Sequence, residues 1–313
     1  MSYNPIDKNE KSIGLYSFLK LNMLKALSLI ITITLFYSNF NIGILSSYST
    51  PNNKTDIIYP LYGDSNFFLS AIMQNKKEPI DKKVTGITVP HHLLAKDLIA
   101  EIFSLISDNQ YSSIVIISPD HYHQGETSIS TNLNNFKTAF GILETDKDKI
   151  SILLENENIS SSNLFLREHG IQSLTPFIKY YFPNTKIIPI TIKITSKKEE
   201  IDMLYNEIIS IISKDDTLII QSTDFSHYLT KDEADIKDKE TKDILLKENA
   251  HLILDLKEPD NLDSKYAQYI QMRLQKEFFK SNINIIHNKN SESYSEEVVD
   301  ETTSYITQIY TAE

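Results

Sequence analysis

Residues 113–123 of this 313-residue chain, Ser-Ile-Val-Ile-Ile-Ser-Pro-Asp-His-Tyr-His, join an apolar segment to a polar one, and this pattern indicates the class of fold. The first segment is short, β-branched and apolar without alternation, as in a strand that is covered on both faces. The same pattern recurs at residues 84–89, 186–192 and 217–221. These segments therefore predict the buried, parallel centre of a sheet.

Between these strands, apolar residues recur every three or four positions, which is typical of helices that pack one face against a sheet. The predicted helices span residues 93–106, 163–181, 199–212, 231–249 and 265–279. We expect a polar loop at 288–300 and a last strand at 303–310. The alternation predicts a single α/β domain with a mostly parallel central sheet flanked by helices, which we place at residues 61–313.

Three segments precede this domain. Residues 1–25 are basic, residues 26–45 are apolar, and residues 46–60 are rich in Ser, Thr, Asn and Pro, as in a linker. The apolar run has about the length of a membrane-spanning helix and predicts a signal-like or membrane-anchor helix. Basic residues before it predict a body outside the cytoplasm, membrane-anchored or, after cleavage, secreted. A buried helix of the domain is the alternative interpretation.

Composition excludes several classes of function. The chain has no cysteine, so disulfides, thiolate metal sites and cysteine nucleophiles are excluded. Its 7 glycines form neither a G-x-G-x-x-G motif nor a Walker loop. The formal net charge of −11 argues against a nucleic acid as the partner. We therefore expect a small-molecule substrate, and any metal must bind to His, Asp, Glu or hydroxyl oxygen.

Histidines concentrate in four short motifs, three of which directly follow predicted strands. The motifs are Val-Pro-His-His-Leu-Leu (89–94), Ser-Pro-Asp-His-Tyr-His (118–123), Arg-Glu-His-Gly (167–170) and Thr-Asp-Phe-Ser-His-Tyr (223–228). In open α/β sheets, ligands bind beyond the carboxyl ends of the strands. The three loops at strand ends should therefore converge on one site.

A convergence of imidazoles is typical of a divalent-metal site, and imidazole suits Zn, Fe and Cu. Asp120 and Asp224 are candidates for direct ligands or for acceptors of the second ring proton of a ligand histidine. Three nitrogen or oxygen ligands with open positions would make the site catalytic. His251 and His287 lie outside the motifs, and we expect surface or structural roles for them.

The four motifs resemble those of the Memo-like family, known in microbes as AmmeMemoRadiSam system protein B, in order and in approximate spacing. The matching residues are Pro90-His91, Ser118-Pro119-Asp120-His121, Glu168-His169-Gly170 and the run from Ser222 to Tyr228. The resemblance covers residues from about 60 to 313. It implies the fold of the class III extradiol dioxygenases.

By this resemblance, His91 and His121 would hold a divalent metal, foremost Fe(II), with Zn or Cu as alternatives, and His169 would be the acid/base. The 223–228 loop would complete the site, with His227 as a metal ligand and Asp224 in a catalytic role. Some members carry a metal-binding cysteine in this last motif, where the chain has Ser226. A hydroxyl is a poor ligand, so Asp224 and His227 both remain candidates for the third position.

These features favour a metal-dependent oxidoreductase that acts on a small molecule. A non-catalytic binding module that retains the pocket is the alternative. It is favoured by Ser226 and by His92-Leu93-Leu94, where many members have Ala-Gly-Tyr. A metal-dependent hydrolase of another α/β family is a third interpretation, but the sequence has no convincing Asp-rich phosphatase motif.

Overall fold

The computed structural model describes residues 56–296 and 299–312. The strands are β1 (Ile57–Ile58), β2 (Val84–Val89), β3 (Ser113–Pro119), β4 (Ile129–Thr131), β5 (Asn135–Thr138), β6 (Gly141–Leu143), β7 (Ile159–Ser161), β8 (Lys186–Ile192), β9 (Thr217–Ser222), β10 (His227–Leu229), β11 (Ser281–Asn290) and β12 (Thr302–Ala312). The α-helices are α1 (Ser65–Gln74), α2 (Lys96–Leu105), α3 (Lys147–Leu153), α4 (His169–Gln172), α5 (Thr175–Tyr181), α6 (Lys198–Ile211), α7 (Lys231–Leu245) and α8 (Lys265–Arg273).

The central sheet has the strand order β10-β12-β2-β9-β3-β8-β4-β7, and β11 pairs with β12. The inner strands β2, β9, β3 and β8 run parallel to one another. Toward the edges, β12 is antiparallel to β2 and β4 is antiparallel to β8. The protein is thus a mixed α/β domain with a central sheet flanked by helices, and the predicted parallel pairing describes the centre of that sheet.

Both faces of the sheet are covered, which explains the uninterrupted apolar strands. In β3, Ile114 and Ile116 belong to an apolar cluster that includes residues of α1, α2 and α5. Val115 and Ile117 belong to a second cluster with residues of α3, α6 and α8. Since successive side chains of a strand point to opposite faces, a strand between two helical layers must be apolar throughout.

Two predicted elements differ from the structure. Residues 163–181 do not form one helix. Glu168 caps α4, and the separate helix α5 has Pro176 in its first turn, where a backbone N–H would have no partner within the helix. The predicted loop at 288–300 begins with regular structure, since β11 extends to Asn290 and a 3₁₀ turn follows at Ser291–Tyr294. The strand β11 was not predicted over its full length because it contains several asparagines. An edge strand with one solvated face needs few apolar residues.

Residues ahead of the boundary predicted at residue 61 take part in the fold, because Ile57–Ile58 pair with β5 and Ile58 is buried. The predicted basic region and the predicted signal-like or anchor helix at 26–45 lie outside the described residues and stay predictions. None of the described helices combines the length and the apolarity that a membrane crossing requires.

Candidate metal centre

The candidate centre forms where the loops after β2, β3 and β9 meet. These strands are neighbours in the sheet, in the order β2-β9-β3, so the loops at their carboxyl ends lie side by side. They carry His91, His121 and Asp224. His227 begins β10 directly after the third loop, and His169 is the first residue of α4. All five residues except Asp224 are histidines, and all five line one cavity.

Three imidazoles are close enough to share one ion. The Nε2 atoms of His91 and His121 lie 3.1 Å apart. A ligand nitrogen of His169 lies within 4.8 Å of the nitrogens of the other two. Two nitrogens that each bind one ion at about 2.0–2.1 Å must themselves lie roughly 3 Å apart. The cluster could therefore hold a metal ion, since the Nε2 atoms of His91 and His121 already have the separation that one shared ion requires.

Glu168 fixes the orientation of His121. Its Oε1 lies 2.6 Å from Nδ1 of His121, and its Oε2 accepts the backbone N–H of the same residue at 3.1 Å. Glu168 also caps α4 by accepting the N–H of Gly170 at 2.9 Å. Burial raises the pKa of Glu168, but its bonds to His121 and Gly170 outweigh this and lower it. An ionised carboxylate can only accept, so Nδ1 carries a hydrogen, and Nε2 is the nitrogen that presents a lone pair when the ring is neutral.

A serine fixes the orientation of His91 in the same sense. The single hydroxyl hydrogen of Ser222 is donated to the carbonyl oxygen of Gly170. The same hydroxyl lies 3.2 Å from Nδ1 of His91 and can therefore only accept there. His91 thus carries its hydrogen on Nδ1 and, like His121, directs the lone pair of Nε2 into the centre. Two facing lone pairs repel unless a cation, either a proton or a metal ion, lies between them.

Asp263 is the residue of the centre that the sequence did not reveal. It lies ahead of α8, and its Oδ2 is 3.2 Å from Nε2 of His91 and 3.8 Å from Nε2 of His121. Its Oδ1 is buried without a hydrogen-bond partner among the described residues. Its Oδ2 also accepts the backbone N–H of Asp224 at 3.1 Å, which fixes the carboxylate beside the two imidazoles in a position to act as a metal ligand.

The candidate aspartates of the sequence take different places. Asp224 is buried, accepts the backbone N–H of His91 at 3.1 Å, and has its other oxygen 3.5 Å from Nε2 of His91. Asp120 accepts the backbone N–H groups of Tyr122, Gln124 and Gly125, so it shapes the turn after β3. The structure thus brings Asp224 to the centre and gives Asp120 a structural role.

The neighbouring carboxylates control the charge of the imidazoles. Burial lowers the pKa of His121, but Asp263 and Glu168 outweigh it and raise the pKa to about 10. At His91, burial lowers the pKa, but Asp224 and Asp263 outweigh this effect, so the pKa is raised overall. His169 has a pKa lowered to about 4 by burial and by the other two histidines. The carboxylates therefore draw a cation to the His91–His121 pair and not to His169.

His227 lines the same cavity but is not part of the three-imidazole cluster. Its Nδ1 lies 3.3 Å from the hydroxyl oxygen of Thr303, and its Nε2 is buried without a hydrogen-bond partner among the described residues. Burial lowers its pKa. Ser226, next to it, is buried and donates its hydroxyl to Asp238 at 2.7 Å, so this position supplies nothing to the centre.

Close packing holds α4 against the end of β3. A Cβ atom added to Gly170 would lie 2.0 Å from the hydroxyl oxygen of Ser118 and 3.1 Å from the ring of His121. Only glycine fits at such an approach. This contact, together with the cap by Glu168, sets the position of His169 relative to His121, whose ring centroids are 4.0 Å apart.

Comparison with known proteins identifies the class to which this fold and centre belong. The model of the Memo-like protein family matches residues 63–309, which is most of the chain. The chain therefore belongs to the Memo-like family, and the resemblance of the four histidine motifs is confirmed.

Individual relatives support this assignment. A MEMO1 family protein of Aquifex aeolicus is 29% identical over 52% of this chain and 44% of its own length. Relatives from Methanococcus maripaludis are 30% identical over 56% of this chain and 65% of their own length, and 28% identical over 69% and 82%. The chain thus spans less than two thirds of the length of the first two.

A solved structure of an uncharacterized protein from Escherichia coli K12 is similar at 8% identity and a TM-score of 0.44, covering 72% of this chain and 99% of that one. This likeness is too distant to support an argument about the site.

Proposed function

We propose that the protein is a metal-dependent oxidoreductase that holds Fe(II) on His91, His121 and Asp263 and acts on a small molecule. One observation carries the proposal: the carboxylate of Asp263 lies 3.2 Å from Nε2 of His91, beside the facing Nε2 of His121. Two histidines and one carboxylate with open positions are the ligand set of non-haem Fe(II) oxygenases.

The charges around the centre fit a divalent cation. Asp224, Asp263 and Glu168 are carboxylates with at most slight exposure, and each has a histidine nitrogen as its ion-pairing partner. Among the described residues, no lysine or arginine forms an ion pair with any of them. Buried carboxylates without a fixed cation are costly, and a metal ion supplies the missing positive charge. Bound there, Fe(II) would bring a substrate oxygen and O₂ together through its open positions.

The protein's own groups would position the ligands and move protons. Glu168 and Ser222 hold the two imidazoles in the required tautomer. His169, with its lowered pKa, is neutral at neutral pH and can accept a proton from a substrate hydroxyl. Asp224 anchors the backbone at His91 and so acts as a positioning residue in this proposal.

The proposal is tested by titrating the purified protein with Fe(II) under anaerobic conditions. We expect one ion per chain, and Asp263→Asn should weaken binding by about 3 kcal/mol, on the order of a hundredfold, which is one ligand's share of a typical site. Asp260→Asn, in the same loop, is the matched control. Equal affinities of Asp263→Asn and wild type would remove Asp263 from the ligand set.

Nitric oxide then probes whether the ion keeps an open position. We expect the Fe(II)-loaded protein to bind it and to give the electron paramagnetic resonance signal of a high-spin iron nitrosyl. Stoichiometric Fe(II) binding without this signal would contradict the enzyme proposal and favour the non-catalytic binding module.

A further inference from the structure

The cavity at the metal centre contains one unbalanced positive charge. It measures about 890 Å³, and Lys96 is the only lysine or arginine among the described residues that line it. Lys96 is the first residue of α2, and its side chain is partly buried. A helix N-terminus already carries partial positive charge, so a lysine there is not stabilised by its own helix.

The ammonium of Lys96 is held in place by an aromatic ring. Its Nζ lies 3.8 Å from the centroid of the Phe67 ring on α1. A cation above an aromatic face is attracted by the ring, but its charge is not neutralised. Phe67 lines the same cavity, so the pair presents a positioned cation to whatever enters.

The acidic groups near Lys96 on α2 are occupied by other partners. Asp97 accepts the hydroxyl of Tyr294 at 2.6 Å and lies 3.5 Å from Nζ of Lys289. Glu101 lies 3.6 Å from Nζ of Lys77 and also pairs with His287. Within the described part of the chain, Lys96 itself has no carboxylate within ion-pairing distance.

The acidic groups of the cavity are occupied as well. Asp224 and Asp263 face the imidazole of His91 at 3.5 and 3.2 Å. Glu258 accepts the backbone N–H of Lys265 at 2.8 Å and lies 3.7 Å from its ammonium. The positive charge of Lys96 is thus available to a bound molecule.

The cavity wall includes aliphatic side chains besides polar ones such as His92 and Tyr228. Leu93, Leu94 and Ile194 belong to it, and the latter two are each 43% exposed to solvent. Exposed aliphatic side chains at a concave site gain free energy when an apolar group covers them.

From these observations we infer the substrate class of the proposed enzyme: a small apolar acid. Its oxygen-bearing head would lie at the metal centre, its hydrocarbon body against Leu93, Leu94 and Ile194, and its anionic group at Lys96. The inference rests on the proposed function for the position of the head alone. The position of the anionic group follows from the charges of the cavity.

The test uses chelating probes that differ in one charge. Alkanohydroxamic acids with a carboxylate at the far end are compared with the corresponding primary amides over a series of chain lengths. Their affinities for the Fe(II)-loaded protein are measured by calorimetry under anaerobic conditions. We expect the carboxylate to bind about three- to tenfold more tightly than the amide at the chain length that reaches Lys96, as for a partly exposed ion pair.

Variants of Lys96 separate a binding role from a structural one. Lys96→Met should abolish the preference for the carboxylate and leave the affinity for the amide unchanged, whereas Lys96→Arg should keep the preference. Lys214→Met is the matched control, since Lys214 lies 5.0 Å from the centroid of the Phe278 ring, outside the cavity.

Each outcome decides between the proposals. A carboxylate that binds no better than its amide at any chain length, or a preference that survives in Lys96→Met, would overturn the inference alone. A protein that binds no Fe(II) would overturn the proposed function and this inference together.

Discussion

Two pairs of histidines line one cavity but are held in different ways. His91 and His121 each have Nδ1 bound to a buried acceptor, Ser222 or Glu168, and each directs Nε2 into the centre. Nδ1 of His169 lies 3.4 Å from the exposed hydroxyl of Tyr122 and 3.8 Å from Oε1 of Glu168, which is beyond hydrogen-bond distance, and Nδ1 of His227 lies 3.3 Å from the hydroxyl of Thr303. A buried hydrogen-bond acceptor at Nδ1 thus distinguishes an imidazole oriented to bind a metal from one that is free to exchange a proton.

The pKa values follow the same division. Carboxylates raise the pKa of His91 and His121 against the effect of burial, whereas burial lowers the pKa of His169 and His227. The first pair attracts a cation, and the second stays neutral at neutral pH. The histidine motifs look alike in the sequence, so their environment in the fold assigns their chemistry.

The largest effect should come from removing a member of the first pair. His121→Ala deletes one proposed ligand and leaves Glu168 buried without its imidazole partner. We expect Fe(II) affinity to fall by on the order of a hundred- to a thousandfold, a ligand's share of about 3–4 kcal/mol. Anaerobic titration measures this, with the exposed His251→Ala as the control. Unchanged affinity would show that the first pair holds no metal.

A smaller effect on Fe(II) affinity should come from replacing Glu168, the hydrogen-bond acceptor at Nδ1 of His121. In Glu168→Gln the amide group meets the backbone N–H groups of His121 and Gly170, which both donate to the native carboxylate. We expect Fe(II) affinity to fall about ten- to a hundredfold, the range for groups that orient a metal ligand. Glu101→Gln is the control on α2. If Glu168→Gln binds Fe(II) like wild type, the contrast between the pairs does not depend on this acceptor.

The smallest effect on metal binding should come from the second pair. His227→Asn should change the free energy of Fe(II) binding by less than about 1 kcal/mol, because our proposed ligand set does not use its Nε2. The same titration, run alongside His121→Ala, measures it. A loss as large as that of His121→Ala would instead support the assignment of His227 as a ligand, which the sequence favoured.

The strands and their histidine loops could be predicted because both depend on local patterns. Val84–Val89 and Lys186–Ile192 have the predicted bounds, since an apolar β-branched run between polar turns has few other structures open to it. The convergence of His91 and His121 followed from parallel strands that place their carboxyl ends at one edge. The antiparallel edges of the sheet were not visible, because their short or polar strands lack this pattern.

Asp263 could not be predicted for a different reason. It follows no strand, and in the sequence it is one more acidic residue ahead of a charged helix, next to the capping Ser264. Its place at the centre depends on how α8 packs against the sheet, which is a long-range property. The resemblance directed attention to Ser226 instead, whose hydroxyl bonds to the buried Asp238.

The contact at Gly170 limits how this site can be altered. There is no room for a methyl group between Gly170 and Ser118, so the helix that carries His169 packs tightly against the strand that leads to His121. Substitutions that alter this centre would therefore have to leave the contact between Gly170 and Ser118 unchanged. They could instead replace side chains that line the cavity, such as Leu94 and Ile194.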